Sequence, residues 1–333
     1  MPDHTMTRRA ALSLLGSAAI AAAIPFPLLA NDTKSAVLRE MLPKFTDKSR
    51  SLLARLMQDP GYSGQIKAAD AAALAQNEST TIEQLMTYLI PLARSYSHAP
   101  ISNFFVGCLV RGASGSLYTG ANIEIPGQCL GFAVHAEQAA VSNAYMHGEK
   151  AVTQLTVGGA PCGHCRQFLN EASPDGEIEI LNPNQPPSKL SAILPSAFGP
   201  AALGMKHGAF PIREANLTLL SPASDPITAA ALEAARKAYA PYSASPSGVA
   251  IRSTAGRIYR GSYIENVAFN PSLSPLQIAL AQMIAAGLQY SAITEVALLE
   301  VQGAKISQEA VTETVLGAIA PSVKLRHLFA RPA

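Results

Sequence analysis

Four side chains in this sequence have the types and spacing of a reacting centre. His135 and Glu137 lie two residues apart in "FAVHAEQAAVSNA", residues 132–144, a stretch otherwise dominated by alanine and small residues. Burying an unpaired charge is expensive, so both need a task. Twenty-seven residues after His135, "PCGHCRQF", residues 161–168, supplies Cys162 and Cys165. A Cys-x-x-Cys pair at a helix start puts both sulfurs on one face, near the positive end of the helix dipole. That placement is expected to favour thiolates. A structural zinc site takes four protein ligands, and the count here stops at three: His135, Cys162 and Cys165. Three ligands leave one position open, the arrangement of a catalytic zinc whose bound water becomes a nucleophile near neutral pH. Glu137 cannot share the direction of His135, so it is free to take a proton from that water and hand it on. His164 is read as lying behind the ligands or on the surface. Cys108, in an apolar strand, and Cys129, in a turn, are read as packing residues. A redox pair or a structural half-site are the simpler readings of a bare Cys-x-x-Cys. Glu137 argues against a structural site, which has no use for a buried acid beside three ligands.

The elements that must position these residues can be read from periodicity. Residues 31–75 read as helical, with apolar residues at three- and four-residue spacing in "AVLREMLPKFTDKSRSLLARLMQ" and "QIKAADAAALAQ". A further helix is expected over 81–97, opened by a threonine cap. "NFFVGCLVRG" and "GSLYTGANIE" read as a hairpin turning at Gly112 and Gly115. A helix over 133–147, a strand "AVTQLTVGG", a helix "CGHCRQFLNEA" and a short strand "EIEIL" follow. This order implies an α/β fold, a three-layer α/β/α sandwich with a mixed sheet. After a proline-rich stretch, 182–226, the pattern starts again. Gly107, Arg111, Gly115, Tyr118, Gly120 and Glu124 meet Gly248, Arg252, Gly256, Tyr259, Gly261 and Glu265 at one constant offset. The chain is therefore read as a duplication. Its parts are a helical region over 31–80, a catalytic domain over 81–201, a connector over 202–219 and a degenerate domain over 220–333. Under a one-residue gap "HAEQAA" meets "PLQIAL", so Pro275 falls opposite His135 and Gln277 opposite Glu137, while Tyr263 falls opposite Asn122. The second copy is expected to be catalytically dead.

Composition narrows the function. The 333 residues are 48% hydrophobic with a formal net charge of only +2, enough apolar content for sizeable cores. No basic patch stands out, which argues against a nucleic-acid partner. Four cysteines, unevenly spread, make no disulfide framework. "MTRRAALSLLGSAAIAAAIPFPLLA" reads as a twin-arginine export signal over residues 1–30, with the mature chain starting near Asn31. A periplasmic location without stable membrane association is expected once it is removed.

His-x-Glu followed by Pro-Cys-x-x-Cys is a known signature of zinc-dependent nucleobase deaminases. With "ISNFFVG", "GANIE", "AFGP", "SPSGVA" and "GSYIENVAFNP", the chain resembles the long, two-copy form of cytidine deaminase from about residue 75 to about residue 300. The resemblance implies a homodimer with one zinc ion per chain. It implies conversion of cytidine and 2′-deoxycytidine to uridine and 2′-deoxyuridine with release of ammonia, a pyrimidine-salvage reaction. It places Asn122 and Glu124 on the ribose 3′-hydroxyl, Phe104 near the base, and the Ala136 N–H and Ala160 carbonyl along the base edge. Glu137 would protonate the ring nitrogen and later the leaving ammonia. The connector around Phe198 is expected to reach towards a partner's active site. Members of this family usually act in the cytoplasm, so the export signal is a departure. Deamination of another amino-heterocycle or nucleoside analogue is the alternative reading.

Overall fold

The computed structural model describes residues 37–333 apart from 174, 184, 207 and 222–224. Residues 1–30, read above as an export signal, lie outside the described residues.

The N-terminal region contains α1 (Asp47–Gln58), β1 (Gln65–Ile66) and α2 (Ala68–Asn77). Thr46 caps α1, its Oγ1 accepting from Ser49 N. The helix expected from Gln65 starts later. Gly64, at φ +81°, turns the chain, and Gln65 and Ile66 pair instead with Tyr118 and Leu117. The helix expected over 81–97 is two: α3 (Ile82–Tyr88) and α4 (Ile90–Arg94). Pro91 has no N–H for the Thr87 carbonyl, so the ladder breaks at that turn.

The first copy then runs β2 (Gly107–Gly112), β3 (Leu117–Ala121), α5 (Ala136–Met146), β4 (Val152–Val157), α6 (Gly163–Ala172), β5 (Glu179–Leu181), β6 (Ser188–Lys189) and α7 (Leu190–Ile193). The second runs β7 (Leu217–Leu219), α8 (Pro226–Arg236), β8 (Ser247–Ser253), β9 (Ile258–Ser262), α9 (Pro275–Ala285), β10 (Ile293–Val301), α10 (Glu309–Ile319) and β11 (Leu325–Pro332). The first sheet has the order β1-β3-β2-β4-β5-β6 and the second β7-β11-β10-β8-β9. The shared part is β3-β2-β4-β5, matched by β9-β8-β10-β11. In each, the hairpin is antiparallel and the outer pair, β4–β5 or β10–β11, is parallel. A parallel pair needs a crossover, and α6 and α10 provide it. The stretch 182–226 is less of a connector than its prolines suggest, since β6 closes one sheet and β7 opens the other.

Four glycines fix the layers. A Cβ on Gly107 would lie 2.3 Å from Arg94 N of α4, and one on Gly120 would lie 2.1 Å from Ala140 N of α5. Gly120 pairs with Cys108, the residue after Gly107. Successive residues face opposite sides of a sheet, so α4 and α5 cover opposite faces. In the second copy a Cβ on Gly248 would lie 2.2 Å from Ala235 N of α8, and one on Gly261 would lie 2.0 Å from Pro275 O of α9. The three-layer α/β/α arrangement thus occurs twice. The two inner helices, α5 and α9, pack on each other, and each also touches the other copy's hairpin. One hydrophobic cluster runs through both copies, from Leu53 through Val141 and Leu280 to Leu316. Among the described residues no helix is long and apolar enough to cross a membrane.

Candidate metal centre and active site

The metal ligands come from the starts of two helices. His135 caps α5 from extended backbone, at φ −79° and ψ 153°, and Cys162 caps α6 in the same way. The expected helix over 133–147 therefore begins only at Ala136. That late start lets His135 turn away from the helix while Glu137, in its first turn, is carried inward. His135 Nδ1 lies 3.5 Å from Cys162 Sγ and 3.3 Å from Cys165 Sγ. All three donor atoms fall within 4.8 Å of one another, the only such group among the described residues. Tetrahedral zinc, with bonds of about 2.0–2.1 Å to nitrogen and about 2.3 Å to sulfur, sets its donors about 3.5 Å apart. The three residues fit that ion.

Electrostatics support the same fit and correct one expectation. The helix dipole was expected to favour thiolates at both cysteines. At Cys165 it is outweighed. Burial first, then the neighbouring Glu137 and Cys162, push this thiol far above its usual range. A cation at the centre of the three donors supplies the compensation that a buried thiolate needs. Glu137 is buried, and it lies near enough to Cys165 for its charge to raise that thiol. It therefore stands beside the three donors without being one of them.

The strand end Asn122–Glu124 lies between His98 and Val134, each bridged to Ile123. Asn122 Oδ1 accepts from Val106 N at 2.9 Å and Ser97 Oγ at 2.5 Å, and its Nδ2 donates to Phe104 O at 2.8 Å. Glu124 Oε2 accepts from Ile101 N at 2.7 Å and Ser102 N at 3.0 Å, and Oε1 from Ser102 Oγ at 2.5 Å. Burial raises the Glu124 carboxyl, but these bonds and His98 outweigh it and hold the group below its ordinary value. Phe104 is 66% exposed, with its neighbour Phe105 half-buried. Ala136 is the first residue of α5, where an N–H has no intrahelical partner. Ala160 is exposed, two residues before Cys162.

Several expectations change. Cys108 is buried, as read, but Cys129 is exposed and is not a packing residue. The alignment of the copies shifts by one more residue. Ser274 is the cap of α9 as His135 is of α5, and Ile264 bridges Leu273 as Ile123 bridges Val134. So Ser274, not Pro275, stands opposite His135, and Leu276, not Gln277, opposite Glu137. Gln277 matches Gln138, the capping-box residue in both helices.

Two residues escaped the sequence reading. Gln138 accepts from His135 N at 3.1 Å and lies 3.2 Å from His164 Nε2, so His164 does sit behind the ligands. Its signal was available, as a glutamine three residues after a helix cap. Glu171, in the last turn of α6, binds the second copy and had no comparable local signal.

An open three-donor centre flanked by a buried acid, on an α/β/α scaffold, is the architecture of a metal-dependent hydrolytic enzyme. Comparison with known sequences narrows this. The profile of the cytidine and deoxycytidylate deaminase zinc-binding region matches residues 79–178 and again 190–313. A cytidine deaminase of Vibrio atlanticus (strain LGP32) is 40% identical over 279 residues, 84% of this chain and 94% of that protein. One from Vibrio vulnificus (strain YJ016) is 41% identical, covering 83% of this chain and 93% of its own. One from Vibrio cholerae (strain ATCC 39541 / Classical Ogawa 395 / O395) is 45% identical over 73% of this chain and 82% of its own. The chain belongs to the cytidine deaminase family.

Proposed function

We propose that this chain hydrolyses cytidine and 2′-deoxycytidine to uridine and 2′-deoxyuridine, releasing ammonia. The observation that carries the reading is the buried Glu137 carboxylate against the three-donor cluster. His135, Cys162 and Cys165 hold zinc, which when bound acidifies a coordinated water to a pKa of about 7. Glu137 accepts the water proton and delivers it to the ring nitrogen N3. The water oxygen bonds to C4, the C4–N4 bond breaks, and Glu137 passes the second proton to the departing amine. Asn122 and Glu124 bind the ribose. Asn122 Oδ1 is filled, which leaves one Nδ2–H, and Glu124 Oε1 keeps a free lone pair. One hydroxyl can accept from the first and donate to the second. Phe104 flanks the base, and the Ala136 N–H and Ala160 carbonyl meet its edge. Loss of cytidine absorbance with equimolar ammonia is the expected result for the purified zinc-loaded protein. A zinc-loaded protein that leaves cytidine and 2′-deoxycytidine intact refutes it.

The same reading extends to assembly, location and role. The chain works as a homodimer in pyrimidine salvage, with the exposed Phe104, Leu130 and Phe198 supporting a covered surface near the site. Light scattering at the mass of one chain would count against the dimer. Arg8 and Arg9 direct export, so Arg8→Lys with Arg9→Lys retains the protein in the cytoplasm. Unprocessed wild-type chain in the cytoplasm would exclude export.

A further inference from the structure

Glu171 joins three parts of the molecule. It lies six residues beyond Cys165 and is only 1% exposed. Its Oε1 accepts from both Tyr239 OH and Tyr242 OH at 2.6 Å, and its Oε2 from Val267 N at 2.9 Å. All three donors belong to the second copy. Its own carbonyl accepts from Ala209 N of the connector at 2.8 Å. One turn earlier on α6, Asn266 Nδ2 donates to Gln167 O at 2.9 Å. An apolar side chain would suffice to pack this helix end. A buried carboxylate is tolerated only where its lone pairs are filled, and its short bonds tolerate little displacement. Burial, and then the charge of Glu171, push both tyrosine hydroxyls up, so they remain proton donors at neutral pH.

We propose that Glu171 is a positioning residue for the metal centre, fixing the second copy to α6 and so holding Cys162 and Cys165 where the ion needs them. The proposal rests on the zinc reading above. Glu171→Gln keeps the size of the side chain but replaces an acceptor by a donor that faces other donors. Partners hydrogen-bonded directly to metal ligands alter affinity by about 10- to 100-fold when changed, and Glu171, acting through α6 instead, belongs at the low end of that range. Zinc release to a colorimetric chelator should therefore quicken about 10-fold or more, and kcat per bound zinc should fall with little change in KM for cytidine. The thiolate-to-metal absorption of the cobalt-substituted variant should also shift. A purely structural residue would lower the melting temperature and leave the release rate, kcat per zinc and cobalt spectrum as in wild type. That outcome overturns the proposal. If Glu171→Gln does not fold, Tyr242→Phe removes one donor from a partly exposed residue, and unaltered zinc release there is equally fatal. Zinc release is read without substrate, so a wild-type chain inert towards cytidine would count against the proposed activity alone.

Discussion

Glu137 and Glu124 are both buried acids, yet their surroundings give them different work. Glu137 is buried near Cys165, close enough for its charge to raise that thiol. Glu124 is bound by Ile101 N, Ser102 N and Ser102 Oγ. Glu265 repeats this in the second copy, taking Tyr242 N at 2.8 Å and Ser243 N at 3.2 Å. There Tyr263 replaces Asn122, so the acid persists where the amide has gone. The acid thus holds a loop in both copies, and Glu124, in the first, has a lone pair to spare. Glu137→Gln should keep zinc and fold but lose at least about 10²–10⁴-fold in kcat, the usual worth of one general acid–base. Near-wild-type turnover at full zinc occupancy would remove Glu137 from the mechanism. At Glu124, truncation to alanine would also release the loop, so Glu124→Gln is the cleaner change. It should depress kcat/KM for cytidine far more than for free cytosine, which has no ribose. Equal losses would exclude ribose recognition.

Asp225 ties together two elements of the second copy. It caps α8, its Oδ1 accepting from Thr228 N at 3.1 Å, and pairs with Arg326 of β11 at 2.8 Å. The Arg326 bond, opposed by burial and aided by Thr228, holds the carboxyl well below its ordinary range. A depressed folded-state pKa gives stability above the unfolded value of about 3.9, lost as pH falls towards the folded one. Asp225→Ala should cost about 1 kcal/mol in urea unfolding at neutral pH, the typical worth of a cap. Asp225→Asn keeps a capping oxygen, so its smaller deficit should begin to shrink as pH falls below about 4 and vanish only as pH approaches the depressed folded-state value. A deficit independent of pH would exclude the charge contribution. Such local features are what a sequence displays. The hairpins, the two ligand-bearing helices and the duplication all follow from short patterns and a repeated glycine spacing. Most of what escaped depends on distant partners. Gln65 and Ile66 are a strand only because Tyr118 and Leu117 lie alongside, more than 50 residues away. The true match of Ser274 to His135 was hidden because "HAEQAA" and "PLQIAL" share too little to fix the gap. It emerges from which helix turn meets Gly120 and Gly261.

On the scale of the whole molecule, the second copy has lost the donors of a metal centre but completes the first. The larger apolar cluster is continuous across α5 and α9, so the second copy closes the core of the first, while a smaller cluster around Ile227, Ala250 and Leu299 lies wholly within the second. Polar ties accompany it. Tyr145 OH donates to Lys237 O at 2.5 Å, Gln277 Nε2 to Phe132 O at 2.7 Å, and Tyr290 OH to Glu124 O at 3.3 Å. Each reaches an element that carries or adjoins one of the residues discussed above: α5, the approach to His135, and the strand end Asn122–Glu124. A chain cut near Ser221 keeps His135, Cys162, Cys165 and Glu137. It leaves Glu171 without Tyr239, Tyr242 and Val267. An orphaned buried polar group costs about 1–3 kcal/mol, and a charged one more. It also bares the face of α5 that packs on α9, where each apolar side chain is worth about 1.5–3 kcal/mol when buried. Together these rival the about 5–15 kcal/mol that stabilises a typical domain. A fragment of residues 31–220 is therefore expected to be insoluble, or soluble without activity and poor at retaining zinc. Size-exclusion chromatography, zinc analysis and cytidine turnover check this. A soluble, fully active fragment would mean that the second copy is dispensable and that the ties through Glu171 and Tyr290 are incidental to the site.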